Sequence, residues 1–304
     1  MTGKRARMGR VPIITTRRRA GLLRWYEASG RHTLPWRLTR DPYAVLVSEV
    51  MLQQTQVERV LPYYLHWLGR WPDVVALAAA SPADVIRAWA GLGYNRRALH
   101  LQRAAVAVAT AGGDVPLAVA ALRALPGVGG YTASAVACFA GERAVPVVDT
   151  NIGRVLARWL GGAASARLLK PANVAAMAQA VLPRAGPAAR DHNLALMDLG
   201  ALVCSARGPA CGSCPLRSVC QWRKQDYPAE SGAPRPQPPF QTTARFARGR
   251  IVDALRGQPA LTVAALAAGL PGDHADRAGT YLQQLERDGL VERLGDRWRL
   301  PGGP

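Results

Sequence analysis

The chain has 304 residues, 49% of them hydrophobic, enough for one large domain and a small one. Lys and Arg outnumber Asp and Glu by 39 to 20, a formal charge of +19 that points to a polyanionic partner and salt-sensitive binding. No apolar run approaches the roughly 20 residues of a membrane span, no secretory segment follows the basic start, and five cysteines in the cytosol expected by default argue against a disulfide framework.

Residues 1–16 hold Lys4, Arg5, Arg7 and Arg10 with no acid before Glu27, and read as a disordered basic arm. Residues 17–227 are predicted to be nearly all helical, their short amphipathic segments separated at Leu34-Pro35, Asp41-Pro42, Ser81-Pro82 and Gly112-Gly113. Ser81-Pro82-Ala83-Asp84 is predicted as an N-cap with Pro at the first helical position. Glu49 is the only charge in the apolar helical stretch Val45–Leu52. Burial there would raise its carboxyl pKa and make it a proton donor near neutrality.

Leu125-Pro126-Gly127-Val128-Gly129-Gly130-Tyr131 lies between two helical segments. Its glycines permit positive φ and close approach of backbone N–H groups, and the next helix begins at the same spot, so it suits a phosphate. Cys138 sits in an apolar helix and reads as a core residue. Asp149 follows Val147-Val148 and opens a helix at Thr150-Asn151, where it fits an N-cap. One protonated and one ionised carboxyl, Glu49 and Asp149, suit glycosidic cleavage through a cationic transition state.

Cys204, Cys211, Cys214 and Cys220 form a Cys-x6-Cys-x2-Cys-x5-Cys set. Thiolates at this spacing suit an iron–sulfur centre or zinc; the single close pair favours the larger iron–sulfur core, with zinc left open by spacing alone. Residues 228–244 are Pro-rich and read as a linker. Residues 245–304 form a second unit, with helical patterns over 246–256, 261–268 and 275–288, then alternation about Gly295-Asp296 that predicts a hairpin. Three helices and a hairpin resemble a winged helix, a fold used for DNA contact or for docking.

Together these features resemble the helix-hairpin-helix DNA glycosylases with an iron–sulfur cluster. The match covers residues 30–222 through Leu34-Pro35-Trp36-Arg37, Ser48-Glu49-Val50-Met51-Leu52-Gln53-Gln54-Thr55-Gln56, Gly91-Leu92-Gly93-Tyr94, the hairpin, Val148-Asp149-Thr150-Asn151 and the cysteine set. The Glu49 block is similar to the MutY-type adenine glycosylases. The fold so implied is mainly α: two helical subdomains with an iron–sulfur loop over 204–220, plus the small C-terminal winged-helix-like domain. The implied cofactor is one 4Fe–4S cluster. The implied partner is double-stranded DNA carrying a mismatch or an oxidised base, bound by a cytoplasmic, nucleoid-associated monomer.

The resemblance also implies roles. Glu49 protonates the departing adenine, Asp149 stabilises the oxocarbenium-like sugar, and Tyr131 and Asn151 position it. Gln54 and Tyr94 fill or wedge the stack around the vacated site, Gln53 and Thr55 also bind DNA or the base, and Trp36 and Arg37 line the base pocket. Leu125, Gly127, Val128 and Gly129 supply the phosphate site, and Arg207, Arg217 and Arg223 ride on the cysteine loop near DNA. Endonuclease III relatives carry a lysine nucleophile where this chain has Tyr131, which implies a monofunctional glycosylase.

Three departures stand out. Leu194 replaces the Glu or Gln that adenine enzymes often use on the base edge, and it is also found in thymine-mismatch enzymes. Asn95 replaces an aromatic residue often found after Tyr94. The C-terminal region is too short for the Nudix-like domain that recognises 8-oxoguanine. Excision of adenine opposite 8-oxoguanine or guanine is the first expectation. A thymine or uracil glycosylase acting on G:T or G:U, and a non-catalytic DNA-binding iron–sulfur regulator, are the alternatives.

Overall fold

The structure, a computed structural model, describes residues 16–229 and 238–303, with side chains from residue 19 onward. The expected basic arm lies outside them except for Thr16, which opens the first helix, as does the middle of the expected linker. The chain is mainly helical, and its contacts divide it into two units. Residues up to 40, 117–119 and from 130 through the cysteine loop form the first; residues 41–116, 120–129 and the C-terminal region form the second. The expected 17–227 domain is thus parted in two, and the C-terminal region joins the second part. Among the described residues no helix is long and apolar enough to cross a membrane.

The first unit is built on helix Gly186–Leu202, which packs against helices Thr16–Ser29 and Thr150–Trp159. Pro187 lies in its first turn, where a missing N–H costs nothing. Inside the helix sits Asp198, 0% exposed, an isolated acid that would be costly without partners. Arg37 supplies a bidentate pair at 2.6 and 2.7 Å. Arg31 adds its backbone N–H at 2.8 Å and its guanidinium at 2.7 Å. Burial by itself would raise the Asp198 carboxyl, but these bonds and charges outweigh it and hold it below the ordinary carboxylate range. The clamp fixes the Leu34–Leu38 segment to the central helix.

In the second unit, helix Pro42–Met51 starts at Asp41, whose side chain accepts from the Tyr43 N–H, and every residue from Tyr43 to Met51 is buried. A helix that is apolar all round must lie inside a core. The Ser81 cap forms as predicted, accepting from the Asp84 N–H at 3.1 Å. Trp67 packs edge-on against Trp71 and Trp89.

The C-terminal region contributes helices Ala244–Arg256, Val263–Ala268 and Ala278–Arg287 with strands β1 (Leu261–Thr262), β2 (Glu292–Leu294) and β3 (Arg297–Arg299). The strands pair antiparallel in the order β1-β3-β2, and the hairpin turns at Gly295-Asp296 as the sequence predicts. Strand β1 corrects the helix expected from residue 261: Leu261 pairs with Trp298, a long-range partner that no local period reveals. The region shares one core with residues 83–99, where Ala83, Ile86 and Leu99 meet Ile251, Tyr281, Leu285 and Trp298.

Candidate active site

Glu49 occupies the last turn of helix Pro42–Met51 and is 5% exposed, in the second unit. Just beyond the helix, the loop Gln53–Thr55 is held by a residue whose role the sequence did not suggest. Arg97 donates from Nη1 to the carbonyls of Val50 (2.7 Å), Met51 (3.1 Å) and Gln53 (2.8 Å). Its Nη2 reaches Thr55 Oγ1 and the carbonyls of Leu92 and Gly93. One buried guanidinium thereby ties the end of the Glu49 helix to the Gly91–Tyr94 loop. Burial pulls its pKa down to about 10, still fully charged at neutral pH.

Gln54 and Tyr94 both adopt left-handed backbone, with φ of 57° and 47°. For a residue as bulky as Tyr94 such a conformation costs about 1–3 kcal/mol and concentrates at functional sites. The Tyr94 hydroxyl donates to Gln54 Oε1 at 2.6 Å, and the Tyr94 side chain is 41% exposed. The two expected stack-contacting residues are therefore one presented pair.

In the hairpin, the Val128 N–H bonds the Leu125 carbonyl at 3.1 Å, and Val128 is buried. Gly127 has φ +74°, and a Cβ there would collide with His100, so the fold itself demands glycine. At Gly129 and Gly130 a Cβ would meet nothing within 4 Å. Open space over two glycines at the start of helix Gly130–Phe139 leaves their backbone free for a ligand to approach.

Asp149 belongs to the first unit. It caps helix Thr150–Trp159, its Oδ1 accepting from the Ile152 N–H at 2.7 Å, while Asn151 Nδ2 donates to its Oδ2 at 2.9 Å. Asn151 is fixed in turn by Arg154, whose Nη2 donates to Asn151 Oδ1 (2.9 Å) and to the Gly200 carbonyl (2.7 Å). Arg154 Nε donates to the Cys204 carbonyl at 2.7 Å. Gly200 permits the close crossing, since a Cβ there would stand 2.7 Å from Asn151 Cβ. A continuous chain of hydrogen bonds thus joins the first cysteine of the loop to Asp149 through Arg154 and Asn151. Tyr131 lies in the first turn of helix Gly130–Phe139, half-buried and not without partners.

Cys204, Cys211, Cys214 and Cys220 line one small cavity with Val203, Pro209 and Trp222. Among the described residues no group of three His, Cys, Asp or Glu converges tightly enough for a single metal ion. Four thiols around one shared space are a soft donor set of the kind that suits an iron–sulfur centre or zinc. Burial pushes the Cys214 thiol up to about 11, and its three cysteine neighbours add to the rise. Arg158, buried, holds the loop by bonds to the Ser205 and Ala206 carbonyls and approaches Cys204 Sγ at 3.4 Å. It also stacks over Trp222. Arg207, Arg217 and Arg223 are exposed on this loop.

Arg37, expected in the base pocket, is buried with its guanidinium bonded to Asp198, and Trp36 beside it is also buried. Leu194 is 3% exposed and lies on the central helix, a core position in this unit. Its neighbour Asn193 bonds Val145 and Val147 ahead of Asp149, a polar brace the sequence did not reveal.

These helical units, with a glycine hairpin opening a helix and a four-cysteine loop, define the scaffold of a helix-hairpin-helix repair protein. A model of the HhH-GPD superfamily base excision DNA repair proteins matches residues 47–190. The adenine DNA glycosylase of Mycobacterium tuberculosis is 46% identical over 285 residues, 92% of each chain. That of Mycolicibacterium smegmatis is 47% identical over 287 residues, 92% of this chain and 95% of the relative. Among solved structures, a thermostable thymine-DNA glycosylase superposes with a TM-score of 0.63 at 31% identity, covering 69% of this chain and 98% of its own. The chain belongs to the HhH-GPD superfamily of base excision DNA repair proteins and, within it, to the adenine DNA glycosylases of MutY type.

Proposed function

We propose that this protein is a monofunctional DNA glycosylase that hydrolyses the N-glycosidic bond of adenine mispaired with 8-oxoguanine or guanine in duplex DNA. The observation that carries the reading is the pair of carboxyls in opposite settings: Glu49 sealed in an apolar helix and Asp149 anchored as an N-cap beside Asn151. Identity favours the adenine reading over the thymine alternative, 46% over 92% of the chain against 31% over 69%. A match of 285 residues also runs into the C-terminal region, so the short tail is shared with relatives named for adenine.

The target nucleotide is extruded from the duplex, because its glycosidic bond is otherwise hard to reach. Glu49 delivers a proton to N7 of adenine as the C1′–N9 bond breaks and its electrons pass to the base. Asp149 stabilises the oxocarbenium-like sugar, with Asn151 and Tyr131 holding it in place. Water adds at C1′ and leaves an abasic site. Gln54 and Tyr94 meet the stack around the vacated position, and the Gly127–Gly130 backbone takes a phosphate. Tyr131 offers no amine, so no Schiff base forms and no strand is cut.

Cys204, Cys211, Cys214 and Cys220 would hold a 4Fe–4S cluster, which supplies a rigid cationic anchor for its loop and takes no part in hydrolysis. The residues themselves carry that rigidity onward through Arg154 and Asn151 to Asp149.

The test is single-turnover incubation with end-labelled A:8-oxoG, A:G, G:T and G:U duplexes followed by alkali. Cleavage at A supports the reading. Cleavage confined to T or U favours the thymine alternative, and cleavage nowhere favours a regulator.

A further inference from the structure

The C-terminal helix Ala244–Arg256 is not merely a spacer packed on the core. It forms one wall of a groove of about 1020 Å³ whose other wall carries Gln54, Arg59 and Tyr94. All of these residues lie in the second unit. The helix grips the presented pair directly. Arg245 Nη1 donates to the Tyr94 hydroxyl, and its guanidinium stacks over the Tyr94 ring at 5.0 Å and the Phe240 ring at 5.1 Å. Arg256 Nη2 donates to Asn95 Oδ1 at 2.9 Å. Asn95, where relatives often carry a second aromatic, is thus one of the residues that receive this helix.

The charge in the groove is lopsided. Arg248 is paired with Asp288, Arg256 with Asp253, and Arg97 with backbone carbonyls. Arg59, Arg245 and Arg250 are exposed and have no carboxylate partner among the described residues. Three unneutralised guanidinium groups, one of them stacked on two aromatic faces, form a site for a phosphodiester with an adjoining base.

We propose that Arg59, Arg245 and Arg250 bind the phosphodiester backbone of DNA in this groove, so that the C-terminal region is part of the DNA-binding surface and Arg245 positions Tyr94. The proposal rests on the glycosylase reading only for the occupant being DNA. Binding to a duplex without any mismatch tests it apart from base release.

The experiment measures Kd for an undamaged duplex from about 50 to 200 mM salt, for the full chain and for Arg59→Ala, Arg245→Ala, Arg250→Ala and the Arg245→Ala/Arg250→Ala pair. Each lost phosphate contact lowers the slope of log K against log salt by about 0.9. The expected result is a shallower slope for each single variant, a further fall in the double variant, and recovery in Arg245→Lys. Arg293→Ala removes the same charge from the hairpin outside the groove and should leave the slope as it is. Thermal denaturation checks that each variant is folded; should Arg245→Ala melt early, Arg59→Ala and Arg250→Ala decide. Folded variants with the parent slope overturn the proposal, including the case in which the groove takes a protein instead. Loss of base release in the parent enzyme with the slopes as expected would overturn the glycosylase reading and leave this one standing.

Discussion

Replacing Arg154 by Ala should separate the cysteine loop from Asp149. The side chain makes three bonds, at 2.7 Å to the Cys204 carbonyl, 2.9 Å to Asn151 Oδ1 and 2.7 Å to the Gly200 carbonyl. A charged hydrogen bond contributes about 1.5–3 kcal/mol, but bonds from one group are not additive and Arg154 is only half-buried. A stability loss of about 3 kcal/mol is therefore expected from denaturant melts. Activity should fall further than stability explains, because Asn151 loses the bond that orients it on Asp149. A displacement of about 1 Å at a reacting group costs on the order of 100-fold in rate. Single-turnover base release at saturating enzyme, at a temperature where the variant is fully folded, reads this effect alone. Arg154→Lys keeps the charge but replaces the rigid fork of Nε and Nη2 with a single nitrogen on a flexible stem, so it should recover stability more than rate. An Arg154→Ala enzyme with the parent's rate would refute the linkage between the loop and Asp149.

Asp198→Asn should destabilise the first unit by about 3–5 kcal/mol, since Arg37 and Arg31 would face a neutral partner while Arg37 stays buried. An Arg37→Met/Asp198→Leu pair should cost much less than the single variants summed, by urea denaturation. Cys211→Ser should lower bound iron and sulfide measured on the purified protein, and unchanged iron content would remove Cys211 from the ligand set. His192, 1% exposed, is pulled down to about 4 by burial, with Arg19 adding. Unfolded, it takes up a proton near 6.5, so its contribution is complete above that pH, is lost as pH falls from 6.5 and levels off near 4. That is about 3 kcal/mol of acid sensitivity, which His192→Leu should flatten in melts across this range.

Much of the candidate site was legible because its signals are local. Glu49 stands alone in an apolar run, Asp149 precedes a helix, and four cysteines fall within a short loop; each needs only its neighbours to be read. The arginines were not legible, and the reason is physical. Arg37, Arg97, Arg154, Arg158 and Arg190 bond mainly to carbonyls or acids brought together by the fold, such as Asp198 to Arg37 and Cys204 to Arg154. A backbone carbonyl has no sequence signature. Part of the positive excess that suggests a polyanion is therefore internal bracing; Arg59, Arg245 and Arg250 are among those that remain outward. Strand β1 escaped for a similar reason, since its identity is set by Trp298 and not by its own two residues.

The central claim is that Glu49 supplies the proton for adenine release. The most direct measurement identifies the free base liberated from an A:8-oxoG duplex by mass spectrometry, with the parent enzyme and with Glu49→Gln. Stoichiometric adenine from the parent and none above background from a folded Glu49→Gln is the predicted result. Release of thymine or uracil from G mismatches with no adenine from the parent, or undiminished adenine from Glu49→Gln, would contradict it.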